Sequence, residues 1–173
     1  MSKITSKIKN LIQDYLLEEG FLQGKIPNNN LKLDFGFFFS FPPGPMGKRM
    51  SVFKLKEKNF IIISINTQIS KKQVNILNSL ENQKKNQFFS DLRKFFIIKE
   101  VYFKIDTNNF IYEIDDHIFF DEYGIIPKNL FFNVVRKIYY CFFFANLILS
   151  EYCSGKEISS KENFSQLDFS IYS

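Results

Sequence analysis

Tryptophan is absent from the chain, alanine occurs once (Ala145), histidine once (His117) and arginine three times (Arg49, Arg93, Arg136). One histidine and two cysteines supply neither a zinc-ligand spacing nor a disulfide framework. Cys141 and Cys153 therefore read as free thiols in a reducing compartment, and Cys141, set among Phe and Tyr, reads as an inert buried thiol rather than a nucleophile. The serines lack a histidine partner for nucleophilic catalysis. Seven glycines, at 20, 24, 36, 44, 47, 124 and 155, are dispersed and form no phosphate-binding loop. The longest apolar run, residues 138–149, falls short of the roughly 20 residues that span a bilayer. The first twenty residues, MSKITSKIKNLIQDYLLEEG, carry charges every few positions and do not form a secretory signal. The expectation is a soluble cytoplasmic protein that is not an enzyme, holds no cofactor and no metal, and does not enter a membrane.

What the chain has in excess is phenylalanine, 23 residues of 173, together with lysine, asparagine and isoleucine. These are the residues of A/T-rich codons, which points to an AT-rich genome and discounts features that codon bias alone creates. The net charge of +5 is one of these, because the lysines are scattered and arginine is scarce. A nucleic-acid interface calls for a clustered basic face, so association with nucleic acid through scattered lysines is the alternative reading, not the leading one.

The length suits one domain with a sizeable core. Residues 3–19 place Ile4, Ile8, Leu11, Ile12, Tyr15 and Leu16 at helical spacing, and Gly20 follows where a helix-ending glycine is expected. The stretch LDFGFFFSFPPGP is strand-like: Leu31, Leu33, Phe35, Phe37, Phe39 and Phe41 alternate with Lys32, Asp34, Gly36 and Ser40, and only Phe38 breaks the pattern. MSVFKLKE and NFIIISINTQI read as a hairpin that extends this strand into a meander. Residues 70–73, SKKQ, form a capping-box pattern that opens a second helix with Val74, Leu77, Leu80, Phe88, Leu92 and Phe95 on one face. The polar ENQKKNQ interrupts that face at Lys84, where a bend or break is expected. EVYFKI and FIYEI make a second hairpin, DDHIFFDEYGII a connection, and Pro127 opens a third helix through Leu130, Val134, Ile138 and Phe142. The order is α-β-β-β-α-β-β-α: an α+β domain over residues 1–153 with a single antiparallel sheet covered by helices. Residues 154–173 read as a serine-rich flexible tail. Its closing FSQLDFSIYS alternates as an added edge strand would, although a free tail accounts for it as well.

The only histidine lies in DDHIFFDE, beside Asp115, Asp116, Asp121 and Glu122. These groups could hold a divalent cation or an acid–base pair, but their spacing matches no ligand pattern, and a solvated acidic connection is the favoured reading. The third helix is apolar on nearly every side, which suits either a central core helix or half of a dimer interface. Phe38 and Tyr102 face away from their apolar neighbours. With Phe143 and Phe144 of the last helix they are the candidate protein-binding residues, codon-driven excess of phenylalanine being the competing explanation.

The order of YLLEEGF, FFFSFPPG, IIISINTQISKKQVNILNSL and IFFDEYGIIPKNLFFNVV resembles an archaeal family of unknown function related to YbjN-like and type III secretion chaperone-like proteins. The resemblance covers residues 5–150 and rests on hydrophobic pattern. It implies a small, often dimeric α+β protein that binds a protein partner or a second copy of itself, rather than one that performs chemistry. The chain is basic where those chaperones tend to be acidic, and no site residue carries over.

Overall fold

The computed structural model describes residues 3–27, 32–45 and 47–154. Helix α1, Lys3–Glu18, buries Ile8, Ile12 and Leu16, a stripe at i, i+4, i+8. It stops because Gly20 takes φ +67°, letting Phe21 N–H reach Leu16 O at 2.8 Å and Gly20 N–H reach Leu17 O at 3.0 Å. Those two bonds satisfy carbonyls the helix leaves open.

Six strands follow: β1 (Leu22–Lys25), β2 (Leu33–Phe41), β3 (Lys48–Leu55), β4 (Phe60–Gln68), β5 (Tyr102–Asp106) and β6 (Ile111–Phe119). They form one open sheet in the order β1-β2-β3-β4-β6-β5, with every neighbouring pair antiparallel. Between β4 and β5 lie α2 (Lys71–Ser79) and α3 (Asn82–Ile98), and α4 (Lys128–Ser154) ends the described chain. The fold is thus α+β with a single antiparallel sheet, as the sequence implies.

Alternation assigns the two faces of the sheet. Phe35, Phe37 and Phe39 of β2, Met50 and Val52 of β3, Ile61, Ile63 and Ile65 of β4, and Tyr112, Ile114 and Ile118 of β6 point toward the helices and join their buried residues in one core. The expected β2 core therefore holds for Phe35, Phe37 and Phe39; Leu33 and Phe41 are only partly buried, and Leu31 lies outside the described residues.

The structure differs from the sequence reading in four places. Residues 22–25, to which the sequence assigns no element, form edge strand β1, because their backbone pairs with β2 although LQGK has no strand pattern of its own. The break expected in ENQKKNQ divides the second helix in two, but it falls at the start of that run: Leu80 and Glu81 both take extended backbone (ψ 155° and 144°), three residues before Lys84. The connection expected at DDHIFF is mostly strand, since β6 pairs with β4 from Gln68↔Ile111 to Phe60↔Phe119. In α4 the buried set is Phe131, Val135, Ile138, Cys141, Ala145, Ile148, Leu149 and Tyr152, rotated from the expected one: Leu130 is exposed, and Val134 and Phe142 are half-buried. Helix α4 is also long and apolar enough, by length and composition, to cross a membrane. In this fold one side of it is spent on the core, while Leu130, Tyr140, Phe143 and Leu147 stay exposed. The tail from residue 155, with its strand-like close, lies outside the described residues.

Ser70 begins α2 as expected, its hydroxyl accepting from Gln73 N–H at 3.3 Å. The reciprocal half of the capping box differs, because the Gln73 side-chain oxygen accepts from the Ser70 hydroxyl at 2.6 Å instead of binding a backbone amide.

Candidate functional site: the open face of the sheet

Strand alternation that sends one set of residues to the helices sends the other to the opposite face, over which no helix lies among the described residues. From the registers, Phe38, Ser51, Ser64, Asp115 and Tyr102 form one row across five strands. The next row runs through Gly36, Phe53, Ile62 and His117, and the one after it through Phe60 and Phe119. Ile62 is buried by these neighbours and stands outside the core cluster.

Four rings make a contiguous cluster here. The His117 imidazole is flanked by Tyr102 of β5 (centroids 4.3 Å apart, planes 20°) and Phe60 of β4 (4.5 Å, 9°). Phe119 lies 5.2 Å from Phe60 and 6.3 Å from His117. Tyr102 and Phe119 are 55% and 61% exposed, far more than their size favours. At the other end of the first row, the Arg49 guanidinium sits 3.9 Å from the Phe38 ring, a cation–π contact. Gly36 has no side chain because none would fit: a Cβ there would come within 2.7 Å of Ile26 Cδ1, and Ile26 N–H donates to Gly36 O at 2.9 Å.

The polar groups of the face pair among themselves. Asp115 Oδ1 lies 3.1 Å from His117 Nε2, and Ser64 Oγ donates to Glu113 Oε1 at 3.0 Å. Burial raises the Asp115 carboxyl above the usual carboxylate range, while His117 pulls it back down. Alternation dismantles the acidic cluster read from DDHIFFDE. Asp115 and His117 share the open face, whereas Asp116 points to the helices and meets Lys137 Nζ at 2.9 Å. Asp121 closes a turn, accepting from Tyr123 N–H at 3.0 Å and Gly124 N–H at 3.1 Å, and Glu122 is exposed. Among the described residues no group of three His, Cys, Asp or Glu side chains is placed to hold a metal ion.

The four candidate binding residues divide between two surfaces. Phe38 and Tyr102 stand at opposite ends of one row on the open sheet face. Phe143 is 51% exposed on the outer side of α4, while Phe144 is turned toward α3 and stacks on Phe95 at 4.5 Å. Sequence reasoning missed His117, Phe60 and Phe119 as partners of Tyr102, because their meeting depends on β6 lying between β4 and β5. A shallow cavity of about 390 Å³ lined by Lys54, Lys58, Asp121 and Glu122 lies elsewhere; the one buried cation beside it, Lys54, is already bound to Asp34 at 2.6 Å.

No curated protein matches the chain. Among solved structures, the crystal structure of an uncharacterized protein from Methanothermobacter thermautotrophicus matches at 20% identity and a TM-score of 0.73, over 83% of this chain and 97% of that one, a likeness of fold. The family described as "Uncharacterized conserved protein (DUF2299)" matches residues 8–149, and the chain belongs to that family.

Proposed function

We propose that the protein is a non-enzymatic, chaperone-like binding module that holds an apolar segment of a protein partner against the open face of its sheet. The observation that carries this reading is the ring cluster of Tyr102, His117, Phe60 and Phe119, over half of whose two outer members is left in water. Keeping such area exposed costs solubility, and a surface with aromatic rings and self-paired polar groups suits a partner that brings its own apolar side chains. The resemblance to YbjN-like and secretion chaperone-like proteins supports the same role. A cytoplasmic setting suits Cys141 and Cys153, which stand apart as free thiols. Nucleic acid is the alternative partner. Exposed rings and Arg49 favour it, but Glu113, Asp115 and Asp106 share the face and would repel phosphate.

The test is suppression of aggregation of a thermally unfolding reporter protein by the full chain and by a Tyr102→Lys/Phe119→Lys variant. The wild type is expected to keep the reporter in solution, and the variant to lose that effect while melting at the same temperature. No suppression by the wild type, or equal suppression by both, overturns the reading. Salt-sensitive binding of a fluorescent single-stranded oligonucleotide, lost in the same variant, would replace it with the alternative.

A further inference from the structure

The side of α4 opposite its core residues carries an exposed stripe at alternating spacings of four and three: Arg136, Tyr140, Phe143 and Leu147, with Glu151 continuing it one turn on. Tyr140, Phe143 and Leu147 are 49%, 51% and 44% exposed. A narrow apolar seam with 4-3 spacing is what one helix presents to another when they pack at a shallow crossing angle. The seam has an internal symmetry. About the midpoint between positions 143 and 144, Tyr140 is the counterpart of Leu147, and the cation Arg136 is the counterpart of the anion Glu151.

Two copies of this helix laid antiparallel about a two-fold axis at that midpoint would bring Tyr140 onto the other copy's Leu147, Phe143 onto the centre, and each Arg136 onto the other copy's Glu151. Each copy would thus supply one member of each of two charge pairs, Arg136 to one and Glu151 to the other, at the ends of an apolar centre of about 10 Å at 1.5 Å per residue. A parallel pairing would instead set Arg136 beside Arg136 and Glu151 beside Glu151. Arg136 and Glu151 are both solvent-exposed, and the partner the structure shows for the Arg136 guanidinium is Asn133, one turn away on the same helix. We infer that the outer stripe of α4 is a homodimer interface, in which a second copy of this chain packs its own α4 antiparallel across Tyr140, Phe143 and Leu147 with Arg136 opposite Glu151. The interface lies on the helical side of the molecule, away from the sheet face, so this inference and the binding reading can fail separately.

Sedimentation velocity of the full chain over a range of concentrations tests it. A dimer is expected for the wild type, and Phe143→Asp, an exposed site whose change should spare the fold, is expected to weaken association about tenfold or more. Arg136→Glu and Glu151→Arg should each weaken it, and the double exchange should restore it, because only the antiparallel register pairs those two positions. A Phe143→Cys variant should form a disulfide with its own copy on mild oxidation. A monomer at all concentrations, a dimer indifferent to Phe143→Asp, or a double exchange no better than the single ones overturns the inference. So does flotation of a monomeric wild type with anionic phospholipid vesicles that Phe143→Asp abolishes, since the stripe would then serve a membrane surface.

Discussion

The His117 imidazole lies nearly parallel to the Tyr102 ring, 4.3 Å away, and its Nε2 meets Asp115 Oδ1 at 3.1 Å. With Phe60 on its other flank, both faces of the imidazole are occupied by carbon and one nitrogen by a carboxylate. This histidine is therefore built into the sheet surface as a ring among rings. Mg²⁺, Mn²⁺ and Zn²⁺ are expected to leave the melting temperature unchanged, because a ligand stabilises only by binding the native state. His117→Ala is expected to cost about 1–3 kcal/mol through loss of two stacked contacts. A saturable rise in melting temperature with one metal, removed by His117→Ala, would reverse this assignment.

Phe37 and Phe38 are neighbours in the chain with opposite fates. Phe37 is fully buried in the core, and Phe38 lies half-buried under Arg49 on the open face. Phe37→Ala should cost about 3–5 kcal/mol, from lost burial and the cavity left behind. Phe38→Ser should cost about 1 kcal/mol, the scale of an exposed cation–π contact. Equal shifts in urea midpoint for the two variants would contradict the assignment of faces.

Alkaline pH should destabilise the fold. Burial pushes the Tyr112 phenol up to about 12 and the Cys141 thiol up to about 11, and burial together with Asp91 raises the Tyr152 phenol as well. In the unfolded chain these groups ionise near their ordinary values, roughly 10 for tyrosine and 8.5 for cysteine. The native state therefore keeps protons that the unfolded state has released. Their contribution is complete below about pH 8 and is lost as pH climbs toward 11–12. Melting temperature measured from pH 8 to 11 should fall steadily, and less steeply at its start in Cys141→Val; a flat profile would refute the buried, neutral assignment.

Gly36→Ala should strain the meeting of β2 with the segment that follows β1, because the new methyl would sit 2.7 Å from Ile26 Cδ1 and 3.1 Å from Ile26 Cβ. The expected cost is about 1–3 kcal/mol, typical of overpacking. Adding Ile26→Ala should recover part of it by vacating the space. A double mutant no more stable than Gly36→Ala would show that the clash is not with Ile26.

The parts of the fold legible in the sequence are those where local pattern and tertiary demand coincide. Phe35, Phe37 and Phe39 alternate because one face of β2 is core, and Gly20 ends α1 because that position needs a positive φ. The illegible parts are set by distant partners. β1 is a strand only because β2 offers it an edge, and Asp115, Asp116 and His117 are held extended as the middle of a nine-pair register between β6 and β4. The rotation of α4 could not be read because its apolar residues encircle it, so the sheet decides which of them are buried. Likewise Tyr102 could be seen to face outward, but not that His117 and Phe60 would stack beside it.

The two edges of the sheet are unequal. β1 is four residues long, carries Gln23 and Lys25 outward, and is interrupted by a bulge between Leu22 and Gly24, whereas β5 is regularly paired throughout. A short, bulged, charged edge is a poor template for another strand. The sheet is thus a one-ended polymerisation unit: a visiting strand can add along β5, but two molecules joined there leave only blunt ends outward. For a chain with 23 phenylalanines, that asymmetry among the described strands confines edge-to-edge pairing to β5.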